Sequence, residues 1–134
     1  MSLKSIKKTA SRRYSDEHLW FQQLNGLTYI GLTSLALEEL HEVIFIEFPK
    51  KGLTIHKDDV LFVMESNKTS GDFISPVDGT VALRHLTVGR NPDLLNNSPE
   101  EEGWLCALAD VPEEQFASLM TSSQYDEWLA AREN

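Results

Sequence analysis

The sequence predicts a mainly β sandwich or barrel with one or two helices. Three observations carry that reading. Short runs rich in Val, Ile, Leu, Phe and Tyr recur along the 134 residues, as strands require. Gly, Pro and Asn punctuate those runs at turn spacing. Only two segments carry apolar residues at helical spacing.

The elements follow in order. Residues 1–13 hold five basic residues (Lys4, Lys7, Lys8, Arg12, Arg13) and no acid. They are read as a basic, disordered tail, and residues 14–134 as one domain. "LWFQQLNGLTYIGLT" (19–33) reads as two strands joined at Asn25-Gly26, a pair that accepts the positive φ of a tight hairpin turn. "TSLALEELHE" (33–42) reads as a short helix capped by Thr33 or Ser34. "VIFIEF" (43–48) is a strand, closed by a loop at "PKKG". "VLFVM" (60–64) and "DFIS" (72–75) are extended and flank the polar knot "ESNKTSG". "PVDG" is a turn, and "TVALRHLTV" (80–88) alternates as a strand. "GRNPDLLNNSPEEEG" (89–103) has the composition of a long loop, and "WLCALA" (104–109) is a further strand. "PEEQFASLMTSSQYDEWLAA" (112–131) reads as one helix, with Pro112 in its first turn and acids at its N-terminal end.

Charge and composition narrow the function. The formal net charge is −9, and outside residues 1–13 the chain carries 7 basic against 21 acidic residues, a balance of −14. So acidic a body repels phosphate backbones, which argues against nucleic acid as a partner. No apolar run approaches the roughly 20 residues that span a bilayer. The single cysteine, Cys106, can form no internal disulfide and fits a reducing, cytoplasmic setting. The four histidines, His18, His41, His56 and His85, lack the spacing of a metal pair and are read as ordinary. No assembled nucleophile, acid or base is evident, so a carrier or binding module is expected rather than an enzyme.

Lys68 stands out. It is the only basic residue between Lys57 and Arg84, and it sits at the tip of a turn between two strands. Asn67 before it accepts left-handed φ, which lifts the lysine clear of the sheet. A lysine so placed can attack an activated acyl group, and the amide formed would make a long swinging arm on a rigid base.

The chain from about residue 14 to 131 resembles the H proteins of the glycine cleavage system. The resemblance rests on "YSDEHLWF", "YIGLTSLALEELHEVIFIEFPKKG", "MESNKTSGDFISPVDGTV", "NPDLLNNSPEEEGWLCAL" and "EEQFASLMTSSQYDEWL", in that order. Asp72 and Pro76 fall four and eight residues after Lys68, as in that family. The resemblance implies a barrel-sandwich hybrid of the biotinyl/lipoyl-carrier type, with a short helix and a C-terminal helix. It implies lipoate on Lys68 through an amide, attached by a lipoate ligase or transferase. The arm would accept the aminomethyl group left by a pyridoxal-phosphate glycine decarboxylase and take it to a folate-dependent aminomethyltransferase. A flavin dihydrolipoyl dehydrogenase would then reoxidise it. The chain itself would be a non-catalytic carrier and a monomer.

Three departures from the family pattern bear on this. The usual "HEW" is "HLW", with Leu19 where a glutamate near the arm's cleft would fall. The neighbours of Lys68 include Asn67, Thr69 and Gly71, and a usual Lys-Gly-Asp turn is Lys57-Asp58-Asp59. Two other uses therefore stand beside the leading one. One is a divergent H-like protein that relays lipoyl or octanoyl groups or serves another redox partner. The other is an unmodified protein-interaction module.

Overall fold

The structure, a computed structural model, describes residues 4–132. Its strands are β1 (Arg13–Tyr14), β2 (Leu19–Leu24), β3 (Leu27–Leu32), β4 (Val43–Glu47), β5 (Thr54–Ile55), β6 (Val60–Ser66), β7 (Ser70–Ile74), β8 (Gly79–Arg84) and β9 (Cys106–Ala109). Its helices are α1 (Ser34–Leu40), α2 (Leu86–Arg90), α3 (Asp93–Asn97), α4 (Glu113–Ala117) and α5 (Ser122–Arg132). Two antiparallel sheets form, one ordered β1-β2-β3-β9-β8-β5 and the other β4-β6-β7. They do not close into one barrel.

Period-two alternation explains how the large sheet is covered. On β2, β3 and β9, Leu19, Phe21, Ile30, Cys106 and Leu108 join the main core with Ile46, Phe62, Met64 and Phe73 of the small sheet. Their neighbours Trp20, Tyr29 and Ala107 belong to a second cluster with Ile6, Tyr14, Trp104 and Tyr125. Both faces are therefore buried, and each fully buried large side chain contributes roughly 1.5–3 kcal/mol. The hairpin forms as expected, with Asn25 and Gly26 at φ 53° and 81°. Gly31 faces Trp20 across β2 and β3, and an added Cβ there would fall 2.5 Å from the indole.

Four expectations differ from the structure. Residues 6–12 are not a loose tail. Ile6 is fully buried, and Arg12 lies over the Trp20 ring at 3.8 Å and donates to Gln22 Oε1 and the carbonyls of Glu100 and Ile6. Residues 1–3 of the expected tail lie outside the described residues. The strand expected over 80–88 stops at Arg84. There His85 stacks on Trp104 at 4.2 Å and its Nδ1–H donates to the Trp104 carbonyl, so the chain turns into α2. The expected loop 89–103 contains α3. Its Asn96 side chain bonds both backbone groups of Val43 at 3.0 Å, closing the end of the edge strand β4. The helix expected over 112–131 is two helices. Met120 leaves helical geometry to pair its backbone with Tyr14. Thr121 and Gln124 then exchange side-chain and backbone bonds in a capping box that starts α5.

Candidate functional site

The β6–β7 hairpin raises Lys68. Its arms are held by Phe62, Met64 and Phe73 in the core, and its register pairs Met64 with Gly71 and Glu65 with Ser70. Residues 66–69 make the tip, where Ser66 is buried while Asn67, Lys68 and Thr69 are exposed. The Ser66 hydroxyl organises the tip. Its oxygen accepts from the Lys68 and Thr69 backbone N–H groups at 3.2 and 3.0 Å, and it donates to the Thr69 carbonyl at 3.1 Å. The Ser66 N–H donates to the same carbonyl at 2.7 Å. A second tether comes from outside the hairpin, where the Asn67 N–H donates to the Glu42 carbonyl at 3.1 Å. The base of the lysine is thus fixed from two sides, while its side chain reaches into solvent.

One residue that sequence reasoning passed over as ordinary lies against it. His41 caps the C-terminus of α1, and its Nε2 is 3.4 Å from Lys68 Nζ. Its backbone stands at φ 70°, ψ −159°, a region that is essentially glycine-only and costs a residue with a side chain on the order of 1–3 kcal/mol. His41 also lines an open groove of about 540 Å³ with Ser34, Leu37, Glu38, Glu42 and Asp93 among others. The other histidines are placed elsewhere. His18 bonds the Tyr125 hydroxyl, and burial lowers the pKa of His18 and of His85. His56 is exposed. Among the described residues, no group of three or more His, Cys, Asp or Glu is set to hold a metal ion.

The structure also relocates the question raised by Leu19. That side chain is fully buried in the main core. Glu17, two residues earlier, instead accepts the Ile74 N–H at 3.0 Å at the far end of β7. It lines a second open groove, about 620 Å³, with Asp16, Asp58, Lys57, Ser75 and Pro76 among others. Asp72 is exposed on β7 between that groove and the lysine tip. Cys106 is fully buried, and desolvation pushes its thiol far above the usual range, so it offers no nucleophile.

Known proteins resemble this chain in sequence and fold. The family model for the glycine cleavage H-protein matches residues 12–132. The glycine cleavage system H protein of Listeria innocua is 35% identical over 116 residues, covering 87% of this chain and 93% of that one. The probable mitochondrial H protein 1 of Dictyostelium discoideum is 31% identical over 129 residues, covering 96% and 88%. The crystal structure of a glycine cleavage system H protein from Mycobacterium marinum superposes with a TM-score of 0.80 at 25% identity, covering 92% of this chain and 99% of that one. No helix among the described residues is long and apolar enough to cross a membrane. On its two-sheet fold, its near-complete family match and its curated relatives, this chain belongs to the glycine cleavage H-protein family, the lipoyl carriers of the glycine cleavage system.

Proposed function

We propose that the chain carries lipoate as an amide on Lys68 and shuttles an aminomethyl group between the enzymes of glycine cleavage. The observation that carries this is the tip geometry. Lys68 is exposed, its backbone is pinned by Ser66 and Glu42, and the hairpin beneath it is rooted in the core. A long arm fits such a base, because a fixed root keeps the arm's far end at high effective concentration near docked partners.

When bound, lipoate supplies a dithiolane that takes up and releases the aminomethyl group and returns electrons to a flavin enzyme. The chain's own residues do the rest. Lys68 supplies the nitrogen of the amide, and Ser66 fixes the direction in which it leaves the sheet. Glu17, Asp16 and Asp58, beside the single cation Lys57, give the second groove a net negative lining that complements a cationic nitrogen. The carboxylate that "HLW" lacks is thus offered from Glu17, which favours aminomethyl carriage over a relay confined to lipoyl or octanoyl groups. The partners are the pyridoxal-phosphate decarboxylase, the folate-dependent aminomethyltransferase and the dihydrolipoyl dehydrogenase, with a lipoate ligase or transferase loading the arm. The chain is a carrier and not itself a catalyst, and in our reading it works in the cytoplasm.

The test is glycine–CO2 exchange by the pyridoxal-phosphate decarboxylase. Lipoylated protein should stimulate exchange, and Lys68→Arg should not. Glu17→Gln should weaken stimulation while leaving lipoylation intact. Leu19→Glu is no substitute, because it would bury a carboxylate in the core. A lipoylated wild type that leaves exchange at the background rate would refute aminomethyl carriage and return the alternative relay to first place.

A further inference from the structure

The contact between His41 and Lys68 joins two observations that neither the fold nor the carrier role requires. The backbone of His41 occupies a conformation suited to glycine, at φ 70°, ψ −159°. Glycine would end α1 there without strain, and the backbone bond from His41 N–H to the Leu37 carbonyl (2.7 Å) would survive the change. The imidazole is not buried in compensation. It is exposed, and its Nε2 meets the Lys68 ammonium at 3.4 Å. Strain that packing does not repay points to use.

We propose that His41 is a positioning residue for acyl attachment, holding the Lys68 nitrogen toward an incoming acyl adenylate and accepting the protons that nitrogen must lose. This rests on the carrier reading above. The bookkeeping of the step is complete. The ammonium first gives up one proton to become an amine. Its lone pair then forms the new C–N bond to the acyl carbon. The acyl C–O bond to the phosphate breaks, and the nucleotide monophosphate leaves with that electron pair. A second proton leaves nitrogen as the amide forms. A neutral imidazole at Nε2 can take each proton in turn and pass it to solvent, because its ring is exposed.

Charged groups surround this ring. Glu38 and Glu42, from α1 and the chain just after it, and Asp93, from α3, line the same groove. Lys68 faces the ring from the β6–β7 tip. The three carboxylates offer a counter-charge to a transient imidazolium, and the lysine loses its own charge as the amide forms.

The experiment uses the full apo chain, a lipoate ligase, ATP and lipoate, with single-adduct formation followed by intact mass. His41→Gly is the informative variant, because glycine suits the backbone and should raise the urea midpoint rather than lower it. At neutral pH, with the acceptor below saturation, it should be lipoylated about tenfold more slowly than wild type. It should still reach the same one-adduct end point. Added free imidazole should recover part of the rate in His41→Gly, and His41→Gln, which keeps a polar side chain but no ring base, should stay slow. A merely structural role would produce no rescue by imidazole. Equal rates for wild type and His41→Gly would overturn this inference and leave the carrier reading standing. A wild type that takes no adduct under any condition would overturn both.

Discussion

Replacing Ser66 by alanine should separate the shape of the lysine tip from the lysine itself. The hydroxyl accepts two backbone N–H groups, from Lys68 and Thr69, and donates to one carbonyl. Each such bond is worth about 0.5–1.5 kcal/mol net in a folded protein. The Thr69 carbonyl keeps its bond from the Ser66 N–H, so only the two N–H groups lose a partner outright. Both belong to exposed residues, and water can replace the hydroxyl in part. The loss should therefore sit near the low end, about 1–2 kcal/mol. With a urea slope of about 2 kcal/mol per molar, the midpoint should fall by roughly 0.5–1 M. Lys68 is unchanged in this variant, yet the ligase should modify it more slowly, because the tip no longer holds one conformation. Urea unfolding and lipoylation kinetics on the same preparation read both effects. An unshifted midpoint together with a wild-type lipoylation rate would show that the hydroxyl does not set the tip.

Other outcomes follow from other parts of the molecule. Arg12→Ala should destabilise by on the order of 2–4 kcal/mol, since it removes hydrogen bonds to three partners and a cation over Trp20, and faster amide exchange across residues 6–12 in the variant would locate the loss. Gly31→Ala should cost about 1–3 kcal/mol by driving a methyl group into the Trp20 ring, which chemical denaturation would report. Burial lowers the folded-state pKa of His18 and His85 below the ordinary 6.5. Their contribution to stability is thus fully present above that value and is lost as pH falls from it toward the folded pKa values, so the thermal midpoint should drop on mild acidification and His85→Asn should flatten part of that slope. Cys106 should resist alkylation in the native protein and react only on unfolding, so any thiols that appear on reducing the loaded protein belong to the arm.

Much of this was legible in the residues, and the remainder was hidden for physical reasons. Asn25-Gly26 and the helix cap at Thr33 or Ser34 are local devices whose chemistry is carried by adjacent residues; the turn forms as read, and of the two cap candidates it is Thr33 whose Oγ1 accepts from the Ala36 N–H. The lysine tip was legible because a polar knot between two apolar runs has few other structures open to it. The N-terminal segment was misread because its lysines describe only its outer side. Ile6 and Arg12 are ordered by Trp20 on another strand, a partner that no local pattern reveals. The break between α4 and α5 had a local signal, the Thr121–Gln124 box, but the helical spacing across it masked the signal. His41 and Glu42 were invisible as site residues, since they meet the tip only when β4 pairs with β6. Leu19 is a different case. Its position in the family pattern suggested a lost site residue, whereas the strand turns it into the core and Glu17 faces the groove.

The central claim is that Lys68 bears the lipoyl group. The direct measurement is the intact mass of the native protein, purified from cells that have lipoate and its ligase, followed by peptide mapping. The account predicts one adduct equal to lipoate less one water, confined to the peptide that contains Lys68 and absent from Lys68→Arg. A native protein that carries no adduct, or one mapped to another lysine, would contradict it.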